Sequence, residues 1–319
     1  MTKLDAEGNK MQDFFDPTKF SYSKIISYIT CPKKFYWQYI KGIRSQQKSK
    51  ALAAGYAVHL ALQKFREKNA SLEENLKAAK QGLIEAFKSE EADVLSFEKA
   101  EDPLRSVERL DEIIENYCRT HENEPSKMIQ CEITFELPLS EFDNSVIFNG
   151  RIDGIINDHG SPALIEDKTT SMLGENWVKE KSSSFQIIWY LMAAKEMGLF
   201  DIEGKTTISK GLINAIYINK LHYAPTSGVA CRQPTIKMNS TLVAARKELV
   251  TWIGTILHAY NVSKWPCNYE KCTEYGGCEY SLLKGLDENS SAFERIVKEN
   301  FKIKEKKKED KDGKQINTL

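Results

Sequence analysis

"ALIEDKTT", residues 163–170, is the stretch whose reading decides the fold. Ala163, Leu164 and Ile165 lead into Glu166, Asp167 and Lys168, the pattern of a buried strand that ends on two acids and a lysine. Buried charge is costly unless it is paired or binds a metal. Residues two apart in a strand share a face, so Glu166 and Lys168 point one way and Asp167 the other. "VIFNGRIDGIIND", 146–158, precedes it by a short turn. The two strands are therefore expected to be antiparallel neighbours, with Asp153 beside Glu166.

Two carboxylates and a lysine on one sheet face are the parts needed to hydrolyse a phosphodiester. The carboxylates hold Mg²⁺ or Mn²⁺ through hard oxygen ligands, and the lysine orients or deprotonates a water or offsets charge on the phosphate. The competing reading is a solvated ion pair at a strand end, and the three residues alone do not decide between them.

Working outward, "MIQCEITFELPL" (128–139) reads as a further strand ahead of these two, making a three-stranded meander. "SSSFQIIWYLMAAKEMG" (182–198) is a helix with a Ser cap and a Gly stop, "GLINAIYIN" (211–219) a strand, and "VACRQPTIKM" (229–238) a shorter one. Residues 240–262 read as a long helix. Before the meander, "KFSYSKIISYITCPKKFYWQYIKGI" (19–43) is helical with a disturbance at Pro32, and "ALAAGYAVHLALQKFREK" (51–68) is a second helix. Residues 71–122 read as amphipathic helices broken at Pro103. The expected fold class is α/β, one domain at 17–285 with a helical insertion at about 67–125. A flexible arm at 1–16 precedes it and a charged, frayed tail at 286–319 follows.

Composition, 41% hydrophobic and 28% charged, is that of a soluble globular protein, and no apolar run reaches membrane-spanning length. The polar N-terminus is neither a signal nor a transit peptide, so a cytoplasmic location and reduced thiols are expected. Net charge is zero but unevenly spread. Pro17 to Arg66 carries ten Lys or Arg and no acid, whereas Glu67 to Glu124 carries sixteen acids against eight bases. The basic stretch is the footprint expected for phosphate binding, or else one of two oppositely charged helical faces packed together.

His59 stands on the apolar helix 51–68, where a lone histidine is usually a core residue. Beside an acidic pair it becomes a ligand that favours Mn²⁺. Gln186 and Tyr190, four apart, share a helix face, either to contact a nucleic acid strand or as an incidental polar residue and a core aromatic. Three of the seven cysteines, Cys267, Cys272 and Cys278, cluster at 265–280, and Cys31 stands beside Pro32. Four thiolates suit Zn²⁺ or an iron–sulfur cluster, and the wide three-plus-one spacing leans towards the latter. Cys118, Cys131 and Cys231 read as small core residues.

In this order, "SYSKIISYITCPKKF", "GYAVH", "GRIDG", "IEDKTT", "QIIWY" and the cysteine triplet resemble the RecB-like branch of the PD-(D/E)XK nuclease superfamily, closest to its iron–sulfur members, the AddB-type helicase–nucleases and the CRISPR-associated exonucleases. The resemblance spans roughly 17–280. It implies a restriction-endonuclease-like core, a mixed central sheet flanked by helices, with a C-terminal cysteine-rich iron–sulfur element. It further implies that His59, Asp153, Glu166 and the main-chain carbonyl of Asp167 hold Mg²⁺ or Mn²⁺, and that Lys168 acts with Asp153 and Glu166 in catalysis. Gln186 and Tyr190 would position DNA, and Cys31, Cys267, Cys272 and Cys278 would hold a 4Fe-4S cluster. The implied activity is a metal-dependent exonuclease acting on DNA ends, single-stranded or duplex, in recombination, repair, phage or CRISPR processing. The rival is a catalytically silent iron–sulfur module that binds DNA or a partner. The acidic insertion is a candidate protein-partner surface, and no phosphate-binding GxxxxGK[ST] loop is present, so a helicase motor would belong to another chain.

Overall fold

Continuous buried runs around the acidic residues, Ile152–Ile156 and Ala163–Asp167, produce the strands that carry them. The computed structural model describes residues 14–46, 50–67, 70–88, 106–122, 127–171, 173–199, 210–218, 230–272 and 277–304. Its elements run β1 (Lys19–Ser21), α1 (Tyr22–Thr30), α2 (Pro32–Phe35), β2 (Ile43–Ser45), α3 (Lys50–Glu67), α4 (Leu72–Lys88), α5 (Val107–His121), β3 (Lys127–Pro138), β4 (Ile147–Asp158), β5 (Ser161–Thr170), α6 (Glu175–Ser182), α7 (Phe185–Glu196), β6 (Lys210–Tyr217), β7 (Ala230–Ile236), α8 (Asn239–Val262), α9 (Ser291–Asn300) and β8 (Phe301–Ile303). They divide into two units: residues 48–251, and the two ends of the chain, 1–47 with 252–319.

The larger unit is built on a mixed sheet in which its own strands lie in the order β3-β4-β5-β6-β7. The β3/β4, β4/β5 and β6/β7 pairs are antiparallel, whereas β5 and β6 are parallel. A parallel pair needs a crossover, and α6 and α7 occupy it. β6 is buried along nearly its whole length, as a central strand covered on both faces should be. α7 buries Ile187, Trp189, Tyr190, Leu191, Met192, Ala193 and Ala194, so it is apolar almost all round. On the other flank, α3, α4 and α5 share a core of Val58, Leu62, Leu83, Leu110, Ile113 and Tyr117 with Ile216 and Ile218. The acidic insertion is thus packed helix wherever it is described. Residues 89–105, with the expected break at Pro103, lie outside the described residues.

In the smaller unit α1 stops at Cys31, whose backbone is extended (φ −161°), and Pro32 begins α2. That is the disturbance expected of a proline, tolerated because it falls in the first turn of the new helix. β2 pairs antiparallel with β8, and Trp37, Ile43, Tyr280, Leu283, Phe293, Val297 and Phe301 form a core. The stretch after 286, read from its charge as tail, therefore contains α9, capped by Ser290, and a paired strand. Apolar residues spaced along α9 (Phe293, Val297) and Phe301 hold it down. The outer parts of the expected arm and tail, 1–13 and 305–319, lie outside the described residues. No described helix is long and apolar enough to cross a membrane.

Candidate metal centre

Three elements of the larger unit deliver the charged residues. Gly55 stands one turn before His59 on α3, and a Cβ there would meet Thr169 Oγ1 of β5 at 3.4 Å. The glycine lets the helix lie close along the strand and brings His59 to it. The β4/β5 ladder pairs Gly154 with Ile165, and one further step sets Asp153 opposite Glu166. The amide of Asp167 then donates to Asp153 Oδ2 at 2.8 Å. His59 Nδ1 lies 3.6 Å from Asp153 Oδ1.

Glu166 and Lys168 share a face, as period two requires, and the lysine ammonium is bonded to Glu166 Oε1. Glu166 Oε2 is buried and has no hydrogen-bond partner among the described residues. Asp167 turns its carboxylate elsewhere, to Arg66 and Asn214, yet one of its oxygens still lies within 4.8 Å of ligand atoms of His59 and Asp153. The structure therefore brings His59, Asp153 and an Asp167 carboxylate oxygen within 4.8 Å of one another, with Glu166 opposite Asp153 on the ladder and Lys168 bonded to Glu166.

The electrostatics are those of a site short of positive charge. Burial would lower the His59 pKa, but the hydrogen bond and charge of Asp153 outweigh it and raise it to about 9. Burial and then the neighbouring Asp153 raise Glu166 to about 7, against the pull of Lys168 and His59. Asp167 behaves oppositely: burial would raise it, but the Arg66 charge and fork, with His59 and Asn214, hold it near 2.

Gln186 and Tyr190 lie together, the Gln186 side chain hydrogen-bonding the Tyr190 hydroxyl. The tyrosine is only 6% exposed and packs edge-on to Phe135 at 5.4 Å, so its ring is core and is withdrawn from stacking on a base. Gly150 makes room for this contact, because a Cβ there would come within 2.7 Å of Phe135. Burial first, then Glu166, raises the Tyr190 pKa, which places its hydroxyl in reach of the acidic site's field.

Sequence reasoning overlooked Glu132, Arg66, Asn214 and Tyr117. Glu132 lies on β3 opposite Asp153 of β4, between the pairs Cys131–Gly154 and Ile133–Ile152, in a left-handed conformation (φ 52°). Burial, offset in part by Arg151, and then Asp153 raise its pKa. No signal in "CEITF" distinguishes it from an ordinary strand glutamate. Arg66 was one of ten basic residues in a run read as a phosphate footprint; it is buried in a fork to Asp167 instead. Others of that run also have internal partners, Lys33 with Glu288 at 2.6 Å and Lys34 with Glu279 at 2.9 Å.

Four of the seven cysteines lie in the smaller unit. Cys267 and Cys272 sulfurs are 3.9 Å apart, and the Asn268 amide lies 3.4 Å from Cys31 Sγ. Asn268 also donates to Thr30 O, and the Lys33 amide to Pro266 O, which pins the 266–268 loop to the α1–α2 break. Burial, with Cys31 and Cys272 as neighbours, pushes the Cys267 thiol up to about 12, and burial, with Cys272 and Cys31 contributing, raises Cys278. Residues 273–276 lie outside the described residues. Cys118 is buried in the helical core as expected, and Cys131 is half-buried. The Cys231 side chain lies outside the described residues.

Residues 19–282 match the model of a family described as the PD-(D/E)XK nuclease superfamily. Among solved structures, one titled "Crystal structure of SSO0001" is similar at 11% identity and a TM-score of 0.26, covering 72% of this chain and 82% of that chain. No curated protein matches.

Proposed function

The chain belongs to the PD-(D/E)XK nuclease superfamily, and from that premise we propose that it is a metal-dependent deoxyribonuclease that acts as an exonuclease on DNA ends. The observation that carries the reading is Glu166 Oε2, an ionisable oxygen buried without a hydrogen-bond partner among the described residues, on the residue opposite Asp153 in the β4/β5 ladder. A lone buried carboxylate oxygen is costly, and a divalent cation would satisfy it. The donor set of hard oxygens and one imidazole fits Mn²⁺ or Mg²⁺. His59, Asp153, Glu166 and the carbonyl of Asp167 would hold the ion.

When bound, the cation would polarise a phosphoryl oxygen and make water a stronger nucleophile. The chain's own groups do the rest. His59 releases to solvent the proton that Asp153 otherwise stabilises, and Asp153 keeps one oxygen fixed by the Asp167 amide. Lys168, 29% exposed while Glu166 is 3% exposed, reaches from the buried acid towards solvent. There its ammonium orients the attacking water and balances charge gathering on the phosphate. Gln186 steadies Tyr190 behind the acids, and basic residues outside the internal ion pairs meet phosphates, so binding would weaken with salt. In the smaller unit Cys31, Cys267, Cys272 and Cys278 would hold a 4Fe-4S cluster; the proximity of Cys31, Cys267 and Cys272 supports a shared thiolate site.

End-labelled single- and double-stranded DNA incubated with wild type and Lys168→Ala, in Mn²⁺, Mg²⁺ or EDTA, tests the reading. Metal-dependent shortening from the ends, lost in the variant while DNA binding survives, is expected. Binding without shortening by either protein would favour a silent module.

A further inference from the structure

We infer that Arg66, backed by Asn214 and Tyr117, is a positioning residue that fixes the backbone of Asp167 and, through it, Asp153. The inference rests on the proposed metal site. Arg66 grips both oxygens of Asp167, with Nη2 to Oδ1 at 2.9 Å, and Asn214 Nδ2 adds a bond to Oδ1 at 2.6 Å. The Tyr117 hydroxyl closes the group, 3.1 Å from Asn214 Nδ2 and 3.4 Å from Arg66 Nη2. The two charged side chains are 7% and 2% exposed, and Asn214 and Tyr117 are buried.

Such a pair is a poor device for stability, because apolar residues of similar volume are often as good or better. Its geometry suggests another use. Three hydrogen bonds, two of them from the guanidinium, already satisfy the Asp167 carboxylate, so although it lies near His59 and Asp153 its charge is committed to Arg66. What Asp167 offers the site is its main chain, whose amide holds Asp153 Oδ2. Asn214 is its register partner on β6, and Arg66 stands two turns beyond His59 on α3. The fork therefore sets α3 against β5 at the level that also places His59. Tyr117 brings the helical insertion into the same support, giving that insertion a role behind the site.

The test compares wild type with Arg66→Lys, which keeps the charge but loses the fork, and Arg66→Met, which leaves Asp167 without its guanidinium. Amide exchange at Asp167 is followed by NMR in EDTA with Leu164 as internal reference, and Mn²⁺ binding by calorimetry. Outer-shell partners of a metal site typically change metal affinity by about 10–100-fold. Arg66→Lys should exchange the Asp167 amide at least about tenfold faster than wild type, with Leu164 unchanged, and bind Mn²⁺ about tenfold more weakly. Unchanged exchange at Asp167 would overturn the inference. So would tighter Mn²⁺ binding by folded Arg66→Met, which would mean that the arginine competes with the metal for a ligand. Faster exchange in a protein whose wild type binds no Mn²⁺ would support the positioning role and refute the metal reading alone.

Discussion

Replacing Lys168 with Met removes the ammonium bonded to Glu166 and should destabilise the metal-free protein in a pH-dependent way. Glu166 titrates near 7 rather than at its ordinary 4.5. A raised carboxyl leaves the fold unburdened below 4.5, loads it progressively up to 7, and adds nothing more above that. In wild type the burden levels off at about 3 kcal/mol. Without Lys168 the acid holds its proton to higher pH, so the burden goes on rising by about 1.4 kcal/mol per pH unit above 7. The extra cost is negligible at pH 6, about 1 kcal/mol at pH 8 and at most about 3 kcal/mol at pH 9. For a unit of roughly 200 residues that corresponds to a Tm lower by about 2–4 °C at pH 8 and by at most about 6–12 °C at pH 9. Thermal melts in EDTA from pH 5 to 9 read this directly. A Tm difference that stays constant across the range, or a variant more stable than wild type at pH 9, would refute the coupling of Lys168 to Glu166.

Saturating Mn²⁺, at about 100 times its dissociation constant, should stabilise the protein by about 2.7 kcal/mol and raise Tm by about 5–11 °C, and Asp153→Asn should remove most of that rise. Because His59 titrates near 9 and Glu166 near 7, Mn²⁺ binding at pH 7.5 should expel between about one and about two protons. Calorimetry in buffers of different ionisation heat measures this, and His59→Ala should lower the number by about one. In protein purified without oxygen, Cys31→Ser or Cys272→Ser should lose bound iron and the broad cluster absorbance near about 400 nm, with the Mn²⁺ stabilisation of the larger unit retained.

Much of the fold is legible in the sequence because its strands and helices differ in period. The short turn between "GRIDG" and "IEDKTT" fixes an antiparallel register, and that register alone sets Asp153 opposite Glu166. Period two likewise puts Lys168 against Glu166 and sends the Asp167 side chain elsewhere. Tyr190 shows where such reasoning stops. A spacing of four places it beside Gln186 but does not say that α7 is covered all round, which is what turns its ring into core. Arg66 is obscured for a different reason: its partner lies 101 residues away, so nothing local separates a buried fork from an exposed phosphate contact. Glu132 acquires its place from a backbone conformation that strand periodicity does not encode. At the C-terminus, charge density conceals the few apolar residues that hold α9 and β8 in a core.

Anomalous diffraction from crystals soaked in Mn²⁺ addresses the central claim most directly. The account predicts one strong peak within bonding distance of a His59 nitrogen and of carboxylate oxygens from Asp153 and Glu166. A peak held by other groups, or none at a concentration that supports DNA cleavage, would contradict it.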